Sequence, residues 1–144
     1  MGNDSEALQY LRDVSARIAD RYPEDCVVHA CRLAVQLLRA GGSPWIGSIR
    51  DVTLDGERQF HQPLIALRLR HAPPWNVHYV CCNDGDAYDP LVGEPVAIDE
   101  LALRVFGRAL SVREAVSVEQ VRALGSEDAL RAHLRTLRFS APRR

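Results

Sequence analysis

WNVHYVCCNDGDAYDP, residues 75–90, holds two strand-like runs, His78 to Cys82 and Asp86 to Asp89, on either side of Asp84-Gly85. Asp-Gly between such runs predicts a type I′ hairpin, because both central residues of that turn need a positive φ. The turn fixes the pairing. Asn83 faces Asp86, Cys82 faces Ala87, Cys81 faces Tyr88 and Val80 faces Asp89. His78 and Val80 share a parity, so they leave the same face of the sheet, and Asp89 leaves it with them. His78 and Asp89 are then diagonal neighbours, roughly 7–8 Å apart at the backbone, a gap an imidazole and a carboxylate can close. A histidine held by a carboxylate is two-thirds of a nucleophilic triad.

The missing nucleophile is sought upstream. Residues 26 to about 40 form a helix whose only polar positions, His29, Arg32, Gln36 and Arg39, make one narrow stripe, read here as solvated. A helix apolar over the rest of its circumference is central, packed on several sides. Asp25 is its natural N-cap and Gly41-Gly42 its stop. Cys26 occupies the first turn, where unpaired N–H groups and the helix dipole favour a thiolate, the form that attacks carbonyls. Its backbone N–H is also a candidate donor to an oxyanion. Cys31 lies more than a turn further in, on another face, as a buried thiol.

Apolar residues at helical spacing from Ala7 to Ala19 predict an amphipathic helix over 5–21. Trp45 to Val52 and Leu64 to Leu69 are strand candidates, the second with Ile65, Leu67 and Leu69 on one face, and a polar loop from Asp55 to Gln62 joins them. Beyond the hairpin, Leu91 to Val96 is a loop, and Asp99 caps a short helix closing at Phe106-Gly107. Ser111-Val112-Arg113-Glu114 and Ser117-Val118-Glu119-Gln120 both fit the capping box, predicting a short helix after each. A last helix runs from Ser126 to about Arg138 with Leu130, Leu134 and Leu137 on one face, and its arginines form a solvated face running into a basic tail.

The 144 residues, 47% of them apolar, suffice for one domain over 1–144 with its own core. A net charge of −1 offers no general attraction to nucleic acid or membrane, and no run of 18 apolar residues exists. The opening MGNDSEALQY has neither a basic nor an apolar signal region, so the expected location is cytoplasmic, or inside another cell after delivery by a non-secretory route. Four cysteines, Cys26, Cys31, Cys81 and Cys82, show no metal-ligand spacing, and free thiols without metal or cofactor are expected. All 18 basic residues are arginine. A GC-rich genome explains that simply; a protein that works in a foreign cell and avoids lysine modification is the sharper alternative.

The pattern resembles the papain-like and transglutaminase-like cysteine hydrolases, in the style of small bacterial effectors or toxins. The residues that carry the resemblance are Cys26 opening a central helix with Ala30 four residues on, the helix end Leu37-Leu38-Arg39-Ala40-Gly41, His78 on a strand, and Asp89-Pro90 on the next strand after a Gly turn. The resemblance covers roughly residues 24–106, leaving 107–138 as a C-terminal helical extension. It implies an α+β fold with the Cys helix packed on an antiparallel sheet, and a triad in which Cys26 attacks, His78 shuttles the proton and Asp89 orients the ring. It also implies a protein or peptide amide as substrate, cleaved by a peptidase or deamidated at glutamine, with an immunity or delivery partner where the chain is an effector.

Trp75, Tyr79 and Trp45 are the aromatic candidates for binding substrate, and Tyr22 or Trp45 for completing the oxyanion site. Two alternatives stand beside this reading: a catalytically inactive binding or adaptor module, with Cys26 as a core thiol, and a leader-processing protease of peptide maturation.

Overall fold

Asp25 starts the central helix by accepting from the N–H groups of Val27 and Val28, at 2.7 and 3.2 Å. Such a cap is worth about 1 kcal/mol. The computed structural model describes residues 4–18, 22, 25–69 and 71–139, with side chains through 137. Its helices are α1 (Ser5–Arg17), α2 (Cys26–Arg39), α3 (Ile98–Phe106), α4 (Val118–Leu124) and α5 (Glu127–Phe139). Its strands are β1 (Trp45–Ile49), β2 (Asp51–Asp55), β3 (Arg58–Gln62), β4 (His78–Asn83), β5 (Asp86–Tyr88), β6 (Val96–Ala97) and β7 (Arg113–Val116). Five strands form one sheet in the order β6-β5-β4-β1-β7, every pairing antiparallel, and β2 and β3 pair only with each other. The fold is α+β.

The β4–β5 hairpin has the register expected from the Asp-Gly turn: Cys81↔Tyr88, Cys82↔Ala87 and Asn83↔Asp86. Asp84 and Gly85 have φ of 54° and 82°, as a type I′ turn demands. Period-2 alternation along β4 then feeds two separate cores. Tyr79 and Cys81 pack under α2 with residues of α1, α4 and α5, whereas Val80 and Cys82 pack on the opposite face with α3 and Leu64, Ala66 and Leu69. The sheet is thus covered on both faces.

Helix and strand also match in length. Fourteen residues of α2 span roughly 21 Å, and six of β4 roughly 20 Å. Each end of β4 therefore meets an end of α2. Asn83 Oδ1 accepts from Ser43 N–H at 3.0 Å just past the helix stop, and Tyr79 N–H donates to Cys26 Sγ at 3.4 Å at the helix start.

Several local expectations are corrected. The Trp45 to Val52 run breaks at Arg50 into strands of two different sheets. The expected loop over Asp55 to Gln62 is instead the turn and second strand of a β2–β3 hairpin, with Gly56 at φ 65°. Leu64 to Leu69 is no sheet strand: Leu64 makes an isolated bridge to Trp75 and Leu67–Leu69 is a 3-10 turn. Ile65 and Leu67 are exposed, because Leu64, Ala66 and Leu69 face the core while Arg68 reaches back to the Ser15 and Ile18 carbonyls at the end of α1, at 2.8 and 3.5 Å.

Ser111 starts no helix; the residues after it form β7, whose Arg113 and Glu114 pair with Ser48 and Gly47 of β1. The Ser117 box does form, with Ser117 Oγ accepting from Gln120 N–H and Gln120 Oε1 from Ser117 N–H. α3 begins after Ala97 rather than at an Asp99 cap, leaving Asp99 and Glu100 in its first turn. α1 stops at Arg17 with Ile18 extended, and the expectation for 19–21 lies outside the described residues, as does the basic tail from 140 onward. Among the described residues no helix is long and apolar enough to cross a membrane.

Candidate functional site

His78 opens β4 and is fully closed to solvent. Its Nε2 lies 2.7 Å from Asp89 Oδ2, also buried. The diagonal pairing predicted from parity is thereby met. Asp89 is itself held, since its Oδ1 accepts from Leu91 N–H at 2.9 Å and from Tyr22 Oη–H at 3.3 Å. The first of these is an Asx turn, the conformation an Asp followed by Pro is suited to make.

The other ring nitrogen of His78, Nδ1, is buried and makes no hydrogen bond of standard geometry. After Asp89, Cys26 is the second residue that favours a proton on the ring. Burial alone pulls the His78 pKa down, but Asp89, by charge and hydrogen bond, and Cys26 overturn that and lift it to about 10. A solvent-free imidazole bonded to a buried carboxylate keeps its proton through neutral pH.

Aromatic rings seal this pair. Trp75 stacks on His78 with centroids 5.2 Å apart and planes 11° from parallel, and Phe106 meets the imidazole edge-on at 5.5 Å. Tyr22 packs against Trp75 at 5.9 Å and against His29 at 4.7 Å. Burial first, then the charges of Asp89 and Cys26, push the Tyr22 pKa well above its usual value, so its hydroxyl remains a donor.

Cys26 is the one partly exposed thiol, and Cys31, Cys81 and Cys82 are buried. Desolvation pushes the Cys31 and Cys82 pKa values up to about 12 and raises that of Cys81 well above its usual value. These three are packing groups. Cys81 and Cys82 lie in the two different cores, as their adjacent parity requires.

Of the three aromatic candidates for substrate contact, Trp75 stands over the His78 ring. Tyr79 does not line a surface groove: its side chain is buried under α2, because alternation turns it away from His78, and only its backbone N–H reaches the sulfur. Trp45 pairs with Cys82, four rows from the Ile49↔His78 row, at the far end of the sheet. As an oxyanion donor Tyr22 is otherwise engaged, its hydroxyl on Asp89. His29, expected to be solvated, is 1% exposed, with its Nδ1 sharing a 2.7 Å hydrogen bond with Tyr10 Oη; Tyr10 of α1 and Tyr22 cover this one position of the stripe, while Arg39 stays exposed. Phe106, read only as a helix end, is a residue of the site. Among the described residues no group of three or more His, Cys, Asp or Glu side chains is arranged to hold a metal ion.

No protein-family model, curated protein or solved structure matches this chain.

Proposed function

We propose that the chain is a papain-like cysteine hydrolase or acyl transferase acting on amides of proteins or peptides. One observation carries the reading: a buried imidazole bonded through Nε2 to Asp89, with its Nδ1 left for the sulfur of a helix-start cysteine. Cys26 attacks the carbonyl as thiolate, and His78, already protonated, delivers its proton to the leaving amine. The amine departs and leaves a thioester on Cys26. His78, now neutral, takes a proton from water as that water attacks the thioester, and the free thiolate is released with a carboxylic acid that loses its remaining proton to solvent. Asp25 occupies the N–H groups of Val27 and Val28, so the N–H of Cys26 is the first-turn donor not used by the cap and the one available to the oxyanion. Trp75 and Phe106 exclude water from the His78–Asp89 bond, which strengthens it and fixes the ring.

Site-resolved alkylation with iodoacetamide tests this. Faster labelling of Cys26 than of Cys31, Cys81 and Cys82 follows from exposure alone and proves little. The diagnostic result is that His78→Ala lowers the Cys26 rate at pH 7 by tenfold or more. A Cys26 rate indifferent to His78 sinks the proposal. Ammonia release against new peptide termini then separates a glutamine deamidase from a peptidase.

A further inference from the structure

A groove of about 620 Å³ opens between the β2–β3 arm and the segment leading into β7. Arg50, Asp51, Leu54 and His61 line the arm side, and Leu110 and Arg113 the other. Its charge is unbalanced. Asp51, the one carboxylate in the lining, is engaged by Arg108, whereas Arg50 and Arg113 have no ion-pair partner among the described residues. His61 adds a buried Nδ1 with no hydrogen bond. The walls between these groups are apolar and open to water, with Leu54 68% and Val52 37% exposed.

The groove is linked to the nucleophile through the sheet. Ser48, in its lining, pairs with Arg113 on one side and with Tyr79 on the other, and Tyr79 N–H contacts Cys26 Sγ. Arg113, Ser48 and Tyr79 thus form one row across three adjacent strands, on the face that carries α2. Strands lie about 4.8 Å apart, so the row is roughly 10 Å long. An extended peptide covers that distance in about three residues.

We propose that this groove binds an acidic segment, with apolar neighbours, of the protein or peptide whose amide Cys26 attacks. With the 3.4 Å from Tyr79 N to Cys26 Sγ added to the row, the acidic side chain sits about four residues from the reacting amide. Two unopposed guanidiniums favour carboxylates because each can donate two parallel N–H bonds to one carboxylate. The apolar walls favour Leu, Val or Ile side chains between the charges. A highly charged, purely polar polyanion leaves those walls unused. This assignment of substrate class rests on the acyl-transfer reading above.

The test separates binding from chemistry by using the full chain with Cys26→Ala. The probes are two fluorescein-labelled decapeptides of the same Leu/Val framework, one with two Glu and one with two Lys at the same positions, read by anisotropy at 50 and 300 mM salt. The Glu peptide is expected to bind at least fivefold more tightly, to weaken with salt, and to lose at least fivefold on Arg50→Glu or Arg113→Glu. The milder Arg50→Gln and Arg113→Gln lose less, and Arg39→Glu at the exposed end of α2 changes nothing. Circular dichroism checks that each variant folds.

Equal affinity for the two peptides, or binding indifferent to both glutamine variants, overturns the proposal. So does tighter binding of a single-stranded decanucleotide than of the Glu peptide. The alkylation of Cys26 in the wild-type chain is the independent control. Rapid, His78-dependent labelling without peptide discrimination defeats the groove assignment and leaves the function standing; peptide discrimination without such labelling defeats the function alone.

Discussion

His78 Nε2 and Asp89 Oδ2 stand 2.7 Å apart in a site that admits water to neither residue. A buried ionisable pair of this kind is costly to assemble and costlier to break, because removing one partner leaves the other charge without water or counter-ion. The surrounding Trp75, Phe106 and Tyr22 turn a local hairpin contact into a sealed unit.

The pH dependence follows from the His78 proton. Its pKa is about 10 in the folded chain against an ordinary value near 6.5. The folded state therefore binds more protons over that interval, and stability falls as pH rises. The contribution is fully present below pH 6.5 and is lost as pH passes through about 10. Urea unfolding at pH 6.5, 8 and 10 should show this loss in the wild type and a smaller one in His78→Gln. Histidine ring NMR should show His78 still protonated at pH 8; titration near 6.5 contradicts the paired geometry.

The two oxygens of Asp89 make separable predictions. Tyr22→Phe removes one hydrogen bond to Oδ1, costing about 1 kcal/mol of stability, and should change Cys26 alkylation by no more than a few fold. Asp89→Asn removes the charge that holds the His78 proton. It should lower the His78 pKa and slow Cys26 alkylation at pH 7 by tenfold or more. Equal effects of the two variants on alkylation would show that the carboxylate charge does not act through the imidazole.

Gly47 carries a packing prediction. A Cβ at this position would collide with Val112 Cγ1, where the segment entering β7 crosses β1. Gly47→Ala should cost about 1–3 kcal/mol, seen as a lower urea midpoint at unchanged slope. Pairing it with Val112→Ala, which vacates the space, should recover part of the loss.

Much of the site was legible because it is local. Asp84-Gly85 sets the register of β4 and β5, and register sets the shared face of His78 and Asp89. Asp25 before an apolar run marks where α2 begins and hence where Cys26 stands. The β2–β3 turn is Gly56-Glu57, with only Gly56 at positive φ; the arm is exposed on both sides, so its strands show no alternation between core and water. The capping-box pattern at Ser111 failed for a different reason. Four residues that suit a first helical turn also suit an edge strand, and the open side of β1 decides in favour of pairing.

By itself the sequence determined the α+β class, the central helix with its capped start, the hairpin register and the pairing of His78 with Asp89, all of which depend on periodicity and turns within a few residues. Only the tertiary structure decided that Tyr22, Trp75 and Phe106 converge on that pair, that Tyr79 and His29 are buried, and that Leu64 to Leu69 leaves the sheet. The physical reason is that β4 has two sides along the sheet, both taken by β1 and β5, and two faces, both covered by apolar side chains from distant segments. Which residues fill those places depends on competition among elements far apart in the chain, and no local pattern records its outcome.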